Sequence, residues 1–232
     1  MGTIKGNLKI VEQNIDKACA ASGRKRSEVT LIAVSKTKPV SDIREAMDFG
    51  IKVFGENKVQ EMKTKTEEIT ELLDWHMIGH LQKNKVKYLP GMVCLIHSVD
   101  NIPLAEEIEK QALANNMTMD ILCEVNMAGE DTKFGLSPEQ TESFIESISH
   151  LEHVNIKGLM TIAPYTDNAE SNRPYFAGLR KLMLSINSKH ILDHEMDTLS
   201  MGMTGDYMVA IEEGATFVRV GSGIFGERNY NI

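Results

Sequence analysis

The chain has 232 residues, 42% of them hydrophobic and 25% charged, the proportions of a globular protein with material for a sizeable core, so wholesale disorder is excluded. Acidic residues number 33 against 25 lysines and arginines, a formal charge of −8 that argues against a broad nucleic-acid surface. No apolar run approaches the roughly 18 residues of a membrane span, Met1 to Lys17 is amphipathic rather than a secretory signal, and Cys19, Cys94 and Cys123 form no CxxC pair, so a cytoplasmic protein without disulfides or zinc is expected.

In chain order, the apolar periodicity opens with a helix from Ile4 to Ser22. The β-branched run Val29 to Val34 follows, and Ser41 is placed to cap a helix over Asp42 to Phe49 that Gly50 stops. Val53 to Phe54 precedes a helix from Lys58 to Leu73, and Trp75 to Ile78 precedes one from Gln82 to Tyr88. The locally basic Lys83 to Lys87 lies on that last helix and reads as a solvated face. Val93 to Ile96 leads to a helix over Ile102 to Asn115. Met119 to Val125 leads to Ser137-Pro138-Glu139-Gln140, a capping serine with proline at the first helical position and glutamine at N3. Val154 to Leu159, Met196 to Leu199 and Phe217 to Val220 complete the strand candidates, with helices over Arg173 to His190 and Tyr207 to Glu213 between them and Gly214 as a stop. Cys94 and Cys123 fall in strand runs and are read as packing residues.

Regular alternation of this kind predicts parallel strands joined by crossover helices. Eight units in 232 residues fit an α/β protein built as one (β/α)8 barrel, spanning 1–232 as a single domain with an additional N-terminal helix. A doubly wound sheet would draw on Gly221-Ser222-Gly223-Ile224-Phe225-Gly226, which fits GxGxxG after a strand. Only six residues follow Gly226, which leaves no room for a crossover helix or for an acidic residue about 20 positions on.

In a barrel the loops leaving the strands' C-terminal ends form the functional face, and phosphate is commonly held after strands seven and eight. The corresponding segments here are Ser200-Met201-Gly202-Met203-Thr204-Gly205-Asp206 and Gly221-Ser222-Gly223. Their small residues admit close approach of backbone N–H groups to an anion, and Ser200, Thr204 and Ser222 add hydroxyl donors. Lys36, just past the first strand, starts on the same face, and Lys38 shares its side if the strand pattern runs on; partial burial and a neighbouring cation would free the Lys36 amine to form an imine. Arg219 interrupts an apolar strand and must find a partner: either an acid such as Asp197 or Glu124, or the pyridine nitrogen of pyridoxal phosphate (PLP), for which arginine is one of two usual partners. An arginine there leaves the ring nitrogen unprotonated and the ring a poor electron sink, which disfavours carbanion chemistry.

Several stretches carry a family resemblance: Ala33-Val34-Ser35-Lys36-Thr37-Lys38-Pro39, Phe54-Gly55-Glu56-Asn57 with Val59-Gln60-Glu61, and Trp75-His76-Met77-Ile78-Gly79-His80-Leu81-Gln82. Gly158-Leu159-Met160-Thr161, Leu199-Ser200-Met201-Gly202-Met203 and Val218-Arg219-Val220-Gly221 with Ile224-Phe225-Gly226 continue it in order over nearly the whole chain. The sequence resembles the PLP homeostasis protein family, whose members share a fold with the N-terminal barrel domain of alanine racemase. The resemblance implies that Lys36 holds PLP as a Schiff base, that Ser200, Thr204, Gly221 and Ser222 bind its phosphate, that Arg219 faces the ring nitrogen, and that Asn57 and Met203 also contact the cofactor. Thr204 stands where serine is common and Met77 where phenylalanine is expected; neither change affects the expected binding.

The resemblance further implies a non-enzymatic carrier that buffers PLP and hands it to PLP-dependent apoenzymes, with no catalytic residue; composition points to no metal and no nucleic-acid or membrane partner, and a monomer is expected. The alternative is an amino-acid racemase, which needs a second base opposite the lysine; of Tyr88, Tyr165, Tyr175, Tyr207 and Tyr230, only Tyr165 is placed near the mouth. A third reading, an aldolase-like barrel using Lys36 on a phosphosugar, shares the lysine and phosphate site but predicts no bound chromophore. His80 reads either as a proton shuttle or as an ordinary loop histidine, and Lys133 either as a recipient of PLP during transfer or as a solvated loop cation.

Overall fold

A computed structural model describes residues 2–130 and 132–227. A long first helix, α1 (Ile4–Ala21), precedes strand β1 (Thr30–Val34). Then follow α2 (Val40–Phe49), β2 (Val53–Glu56), α3 (Val59–Glu68) and β3 (Asp74–Met77). A 3-10 segment (Lys83–Tyr88) leads to β4 (Leu95–Val99), α4 (Ile102–Ala114), β5 (Met119–Glu124), α5 (Pro138–Ile148) and β6 (Val154–Met160). The chain continues through α6 (Arg173–Asn187), β7 (Thr198–Met203), α7 (Tyr207–Glu212), β8 (Phe217–Val220) and a one-turn α8 (Ser222–Phe225). The eight strands pair in parallel and in sequence order, and β8 pairs back onto β1, with Ile32 beside Arg219, to close a (β/α)8 barrel.

Alternation along each strand sorts side chains into two layers. Leu31, Ala33, Phe54, Trp75, Ile96, Ile121, Leu199 and Val218 belong to the core shared with the helices. Helical stripes such as Leu104, Ala105, Ile108 and Ala112 on α4, and Phe176, Leu179, Met183 and Ile186 on α6, fill that layer from outside. Inside the barrel, Leu95, Leu122, Met160 and Phe217 form a small apolar cluster. The rest of the interior is unusually polar for a fold whose lumen is normally filled with branched aliphatics: His76, His97, Ser200 and Arg219 are all buried.

Helix α1 closes the β8–β1 side with Leu8, Val11 and Ile15. It also ties down the two functional loops, since Asn7 Nδ2 donates to the Ile224 carbonyl at 2.8 Å and Asn14 Nδ2 to the Tyr207 hydroxyl at 3.1 Å.

Several boundaries differ from the sequence expectation. Pro39, not Ser41, occupies the N-cap of α2, because proline pre-sets the extended entry and the helix starts one residue before Ser41. Helix α3 stops at Glu68, where Ile69 turns extended and buries its side chain. The expected helix over Gln82 to Tyr88 is a 3-10 segment over Lys83–Tyr88, and Met92 and Val93 donate to the Leu89 carbonyl, so β4 begins only at Leu95 and runs on through His97 and Ser98. Cys94 therefore lies outside the strand, exposed, with its thiol on Asp74 at 3.6 Å, whereas Cys123 is buried as expected. The Ser137–Gln140 capping box and the left-handed glycines Gly50 and Gly214 stand where the sequence places them.

Strands β6 and β7 meet most tightly at Gly158, where a Cβ would strike the Thr198 backbone carbonyl. Gly158→Ala is expected to lower stability by about 1–3 kcal/mol through forced separation of the two strands, measured as a shift in the urea unfolding midpoint.

Candidate functional site

At the C-terminal end of the strands lies a cavity of about 300 Å³. Seven of the eight residues expected at a cofactor line it: Lys36, Asn57, Met203, Thr204, Arg219, Gly221 and Ser222. The eighth, Ser200, does not. Strand β7 extends to Met203, so Ser200 sits in mid-strand, fully buried inside the barrel, with its hydroxyl committed to Arg219 and His97. Ile78, Tyr165, Asn172 and Asp206 also line the cavity.

Lys36 is half-buried at the end of β1, and both of its neighbours are held by a buried ionic cluster. The Lys65 ammonium donates to the Ser35 carbonyl at 2.8 Å and to Glu56 Oε1 and Glu61 Oε1, each at 2.7 Å. Ser35 Oγ donates to the same Glu56 oxygen at 2.6 Å, and the Thr37 amide donates to Glu61. Thr37 adopts a left-handed conformation, φ 65°, which turns the chain sharply just after the lysine. Burial pushes the Glu56 carboxyl upward against the pull of Lys65, and its second oxygen is buried without a hydrogen-bond partner among the described residues. None of this cluster was foreseen: Glu56, Glu61 and Lys65 meet only because β2 and α3 fold back beneath Lys36. Lys38 lines a second opening together with Lys36, and its ammonium reaches the carbonyls of Phe225 at 2.8 Å and Glu227 at 3.3 Å.

Across the cavity, Arg219 donates to Ser200 Oγ and, at 2.8 Å, to the Thr161 carbonyl. Neither expected acid pairs with it. Asp197 accepts from Thr198 Oγ1 at 2.7 Å, and Glu124 acts on the guanidinium only at longer range. Burial draws the Arg219 pKa down to about 10, opposed by Glu124 and Asp206, so it remains a cation at neutral pH. The Glu124 carboxyl is pushed up to about 7 by burial and by nearby Asp100, against the attraction of Arg219.

The two glycine-containing loops are joined by Thr204, whose Oγ1 accepts from Ser222 Oγ and from the Gly223 amide, each at 3.3 Å. Behind them Asp206 orders the first loop: it accepts from the Met203 amide at 2.7 Å and from Asn172 Nδ2 at 2.8 Å. Tyr165 is 95% exposed at the rim. Among the other tyrosines Tyr207 packs under α1, and Tyr230 lies outside the described residues. His80 stacks on Phe134, centroids 3.8 Å apart, and does not line the cavity. Lys133, partly exposed, pairs with Glu130 and approaches the Ala163 carbonyl at 3.3 Å. No helix among the described residues is long and apolar enough to cross a membrane, and no His, Cys, Asp and Glu cluster among them could hold a metal ion.

The family model "Alanine racemase, N-terminal domain" matches residues 7–229. A pyridoxal phosphate homeostasis protein of Aquifex aeolicus is 49% identical over 224 residues, 96% of this chain and 97% of that one. The chain belongs to this family. Among solved structures, PipY of Synechococcus elongatus with PLP bound is 35% identical, with a TM-score of 0.80 over 91% of this chain and 100% of that one. Alanine racemase of Clostridium difficile is 13% identical, with a TM-score of 0.74 over 99% of this chain but 58% of that one, a likeness of fold.

Two side chains around the cavity give measurable expectations. Lys65→Met leaves Glu56 and Glu61 facing each other in a buried site and is expected to cost about 3–5 kcal/mol, read by chemical denaturation. Glu124 keeps its proton in the folded protein up to about pH 7 but loses it near 4.5 when unfolded. Its contribution therefore becomes destabilising as pH rises through that window, with the full penalty above it. Glu124→Gln should therefore raise stability relative to the parent above about pH 7 and have little effect below about pH 4.5, as followed by unfolding midpoints across pH.

Proposed function

We propose that this chain binds pyridoxal 5'-phosphate covalently, as a Schiff base on Lys36, and serves intracellular PLP homeostasis as a reversible carrier that supplies PLP-dependent apoenzymes. The observation that carries this reading is the convergence on one cavity of the Lys36 amine, the Arg219 guanidinium and the hydroxyls and amides of two glycine-containing loops. The donor set fits the group: an amine for its aldehyde, a donor-only cation for its ring nitrogen, and neutral hydrogen-bond donors for its phosphate. The resemblance in name and sequence to homeostasis proteins, and to PipY with PLP bound, supports the same reading.

When bound, PLP supplies an aldehyde that condenses with an amine and releases water. The work of the chain is to hold it. In this reading Lys36 provides the amine, Thr204 and Ser222 their hydroxyls, and Gly221 and Gly223 a backbone without a Cβ in the way of the phosphate. Asn57 and Met203 flank the ring. Arg219 cannot accept a proton, so it keeps the ring nitrogen an acceptor and the ring a poor electron sink. Ser200, expected at the phosphate, instead supports Arg219.

Two features favour a carrier over a racemase. Tyr165, the candidate second base, is 95% exposed at the rim, and among the described residues its hydroxyl reaches only Asp167, at 3.4 Å. The cavity residues otherwise offer no proton acceptor opposite Lys36 that is not already engaged, since Asp206 is bound by Met203 and Asn172.

The protein incubated with PLP should show a visible imine band, and borohydride reduction followed by peptide mapping should place the adduct on Lys36; Lys36→Ala should abolish both. A colourless protein, or an adduct at another lysine alone, defeats the proposal. Racemisation of amino acids by the coloured protein at ~10 per second, ordinary enzyme turnover, would replace the carrier with the racemase.

A further inference from the structure

The interior of the barrel holds a continuous hydrogen-bonded chain that the carrier function does not account for. His76 Nδ1 meets His97 Nε2 at 2.8 Å, His97 Nδ1 meets Ser200 Oγ at 2.9 Å, and Ser200 Oγ accepts from Arg219. Phe217 packs edge-on against both imidazoles, so the chain runs in an apolar sleeve. It begins at a second cavity at the opposite end of the barrel, where His76 is lined up with Asp74, Cys94, Asp120 and Lys157, and it ends at Arg219 in the mouth cavity.

The direction of every proton in this chain follows from its ends. Arginine only donates, so Ser200 Oγ must accept from it, and the sole other hydrogen-bond neighbour of the Ser200 hydroxyl among the described residues is His97 Nδ1. A buried hydroxyl proton without an acceptor is avoided only if Ser200 donates to that nitrogen. His97 then carries its proton on Nε2 and donates it to His76 Nδ1, which leaves the His76 proton on Nε2, facing the basal cavity. Both rings must be neutral for this order to hold. Burial lowers the His76 pKa to about 4 and that of His97 well below its ordinary value.

We propose that His97, backed by His76, is a positioning residue for Arg219, a tautomer-locked chain that polarises Ser200 and fixes the guanidinium facing the ring nitrogen of PLP. The inference rests on the proposed PLP reading. By accepting from Ser200, His97 strengthens the serine oxygen as an acceptor for Arg219, since aligned hydrogen bonds polarise one another. Without His97 the hydroxyl proton competes for the space in front of the guanidinium, and the Ser200 contact that helps to fix the arginine's plane weakens.

The test starts with the unmodified protein, labelled with ¹⁵N-histidine, with and without PLP. Long-range nitrogen–proton correlation spectra should show His97 and His76 as neutral Nε2–H tautomers; a proton on His97 Nδ1 would overturn the proposal. In the second step His97→Phe keeps the ring volume but removes the acceptor, while His97→Asn returns an amide oxygen near the position of Nδ1. His97→Phe should shift the visible band of the bound cofactor and release PLP about fivefold or more faster, the effect of one lost buried hydrogen bond. His97→Asn should restore both towards the parent values, with thermal midpoints confirming that each variant is folded. Parent-like band and release rate in folded His97→Phe would overturn the relay while leaving the Lys36 adduct intact, whereas a parent protein without that adduct would overturn the carrier reading and the relay with it.

Discussion

The interior of this barrel is organised around one buried cation. Arg219 stands on β8 among apolar neighbours, cannot give up its proton at neutral pH, and is removed from water, so every donor it leaves unmet is costly. The protein answers with neutral acceptors: the Thr161 carbonyl at the end of β6 and the Ser200 hydroxyl inside β7. Glu124 and Asp206 contribute only at longer range, and this matters for the site. A carboxylate in contact would occupy the guanidinium, and a bound ring nitrogen would have to compete with it. Carbonyl and hydroxyl partners hold the group in place without neutralising it, and a charged, fixed donor remains at the floor of the cavity. The same demand explains why the lumen departs from the aliphatic filling of its fold: once Ser200 is inside, its own proton needs an acceptor, and His97 and then His76 follow.

Lys36 is held by a different principle. It lies in a loop, where the backbone would ordinarily be mobile, but Ser35 and Thr37 on either side of it are bound to the Glu56–Lys65–Glu61 cluster. A buried cluster of three ions is weak evidence for net stability, because desolvation consumes much of the attraction. Its contribution here is geometric: a single ammonium satisfied by three oxygens fixes one carbonyl and, through Glu61, one amide of the loop that presents the lysine. Helix α1 does comparable work on the other side. Through Asn7 and Asn14 it holds α8 and α7, the two elements that follow the glycine-containing loops. The three parts of the cavity are thus tied to rigid elements by separate contacts, and loss of any one set need not dismantle the others.

Much of this was legible in the sequence, and what was not has identifiable causes. The eight-fold alternation, the two loops after β7 and β8, and Arg219 as an intruder in an apolar strand depend on local pattern, which a single sequence displays. Ser200 was misplaced because the strand was ended at Leu199; the structure carries β7 on to Met203, and a serine expected in a loop becomes an inward-facing residue of the lumen. His97 escaped notice for the mirror reason, since β4 was started and stopped two or three residues early and the histidine fell into a loop that does not exist. His76 was within a strand run, but its importance lies in a contact with a residue 21 positions away. The Lys65 cluster is likewise invisible to periodicity: on α3 the lysine reads as one more polar residue, and only the packing of α3 over β2 turns it inward. Local order gave the scaffold and the loops; the polar connections between strands required the register.

The register also bears on what kind of site this is. A catalytic site for proton transfer needs groups poised to change charge within reach of the reacting atoms. Around this cavity several groups are held in place instead. His76 and His97 are kept neutral by burial, Asp206 is engaged by an amide and an amide side chain, Lys38 is tied to two carbonyls, and Arg219 is a fixed cation. Glu124 is the exception, a carboxyl titrating near neutrality, but it does not line the cavity. His76 and His97, held neutral by burial, and Arg219, held as a cation, give a bound molecule a constant set of partners. Under the proposed function that is the useful property: the site need only make one reversible bond at Lys36, and everything around that lysine is built to stay as it is.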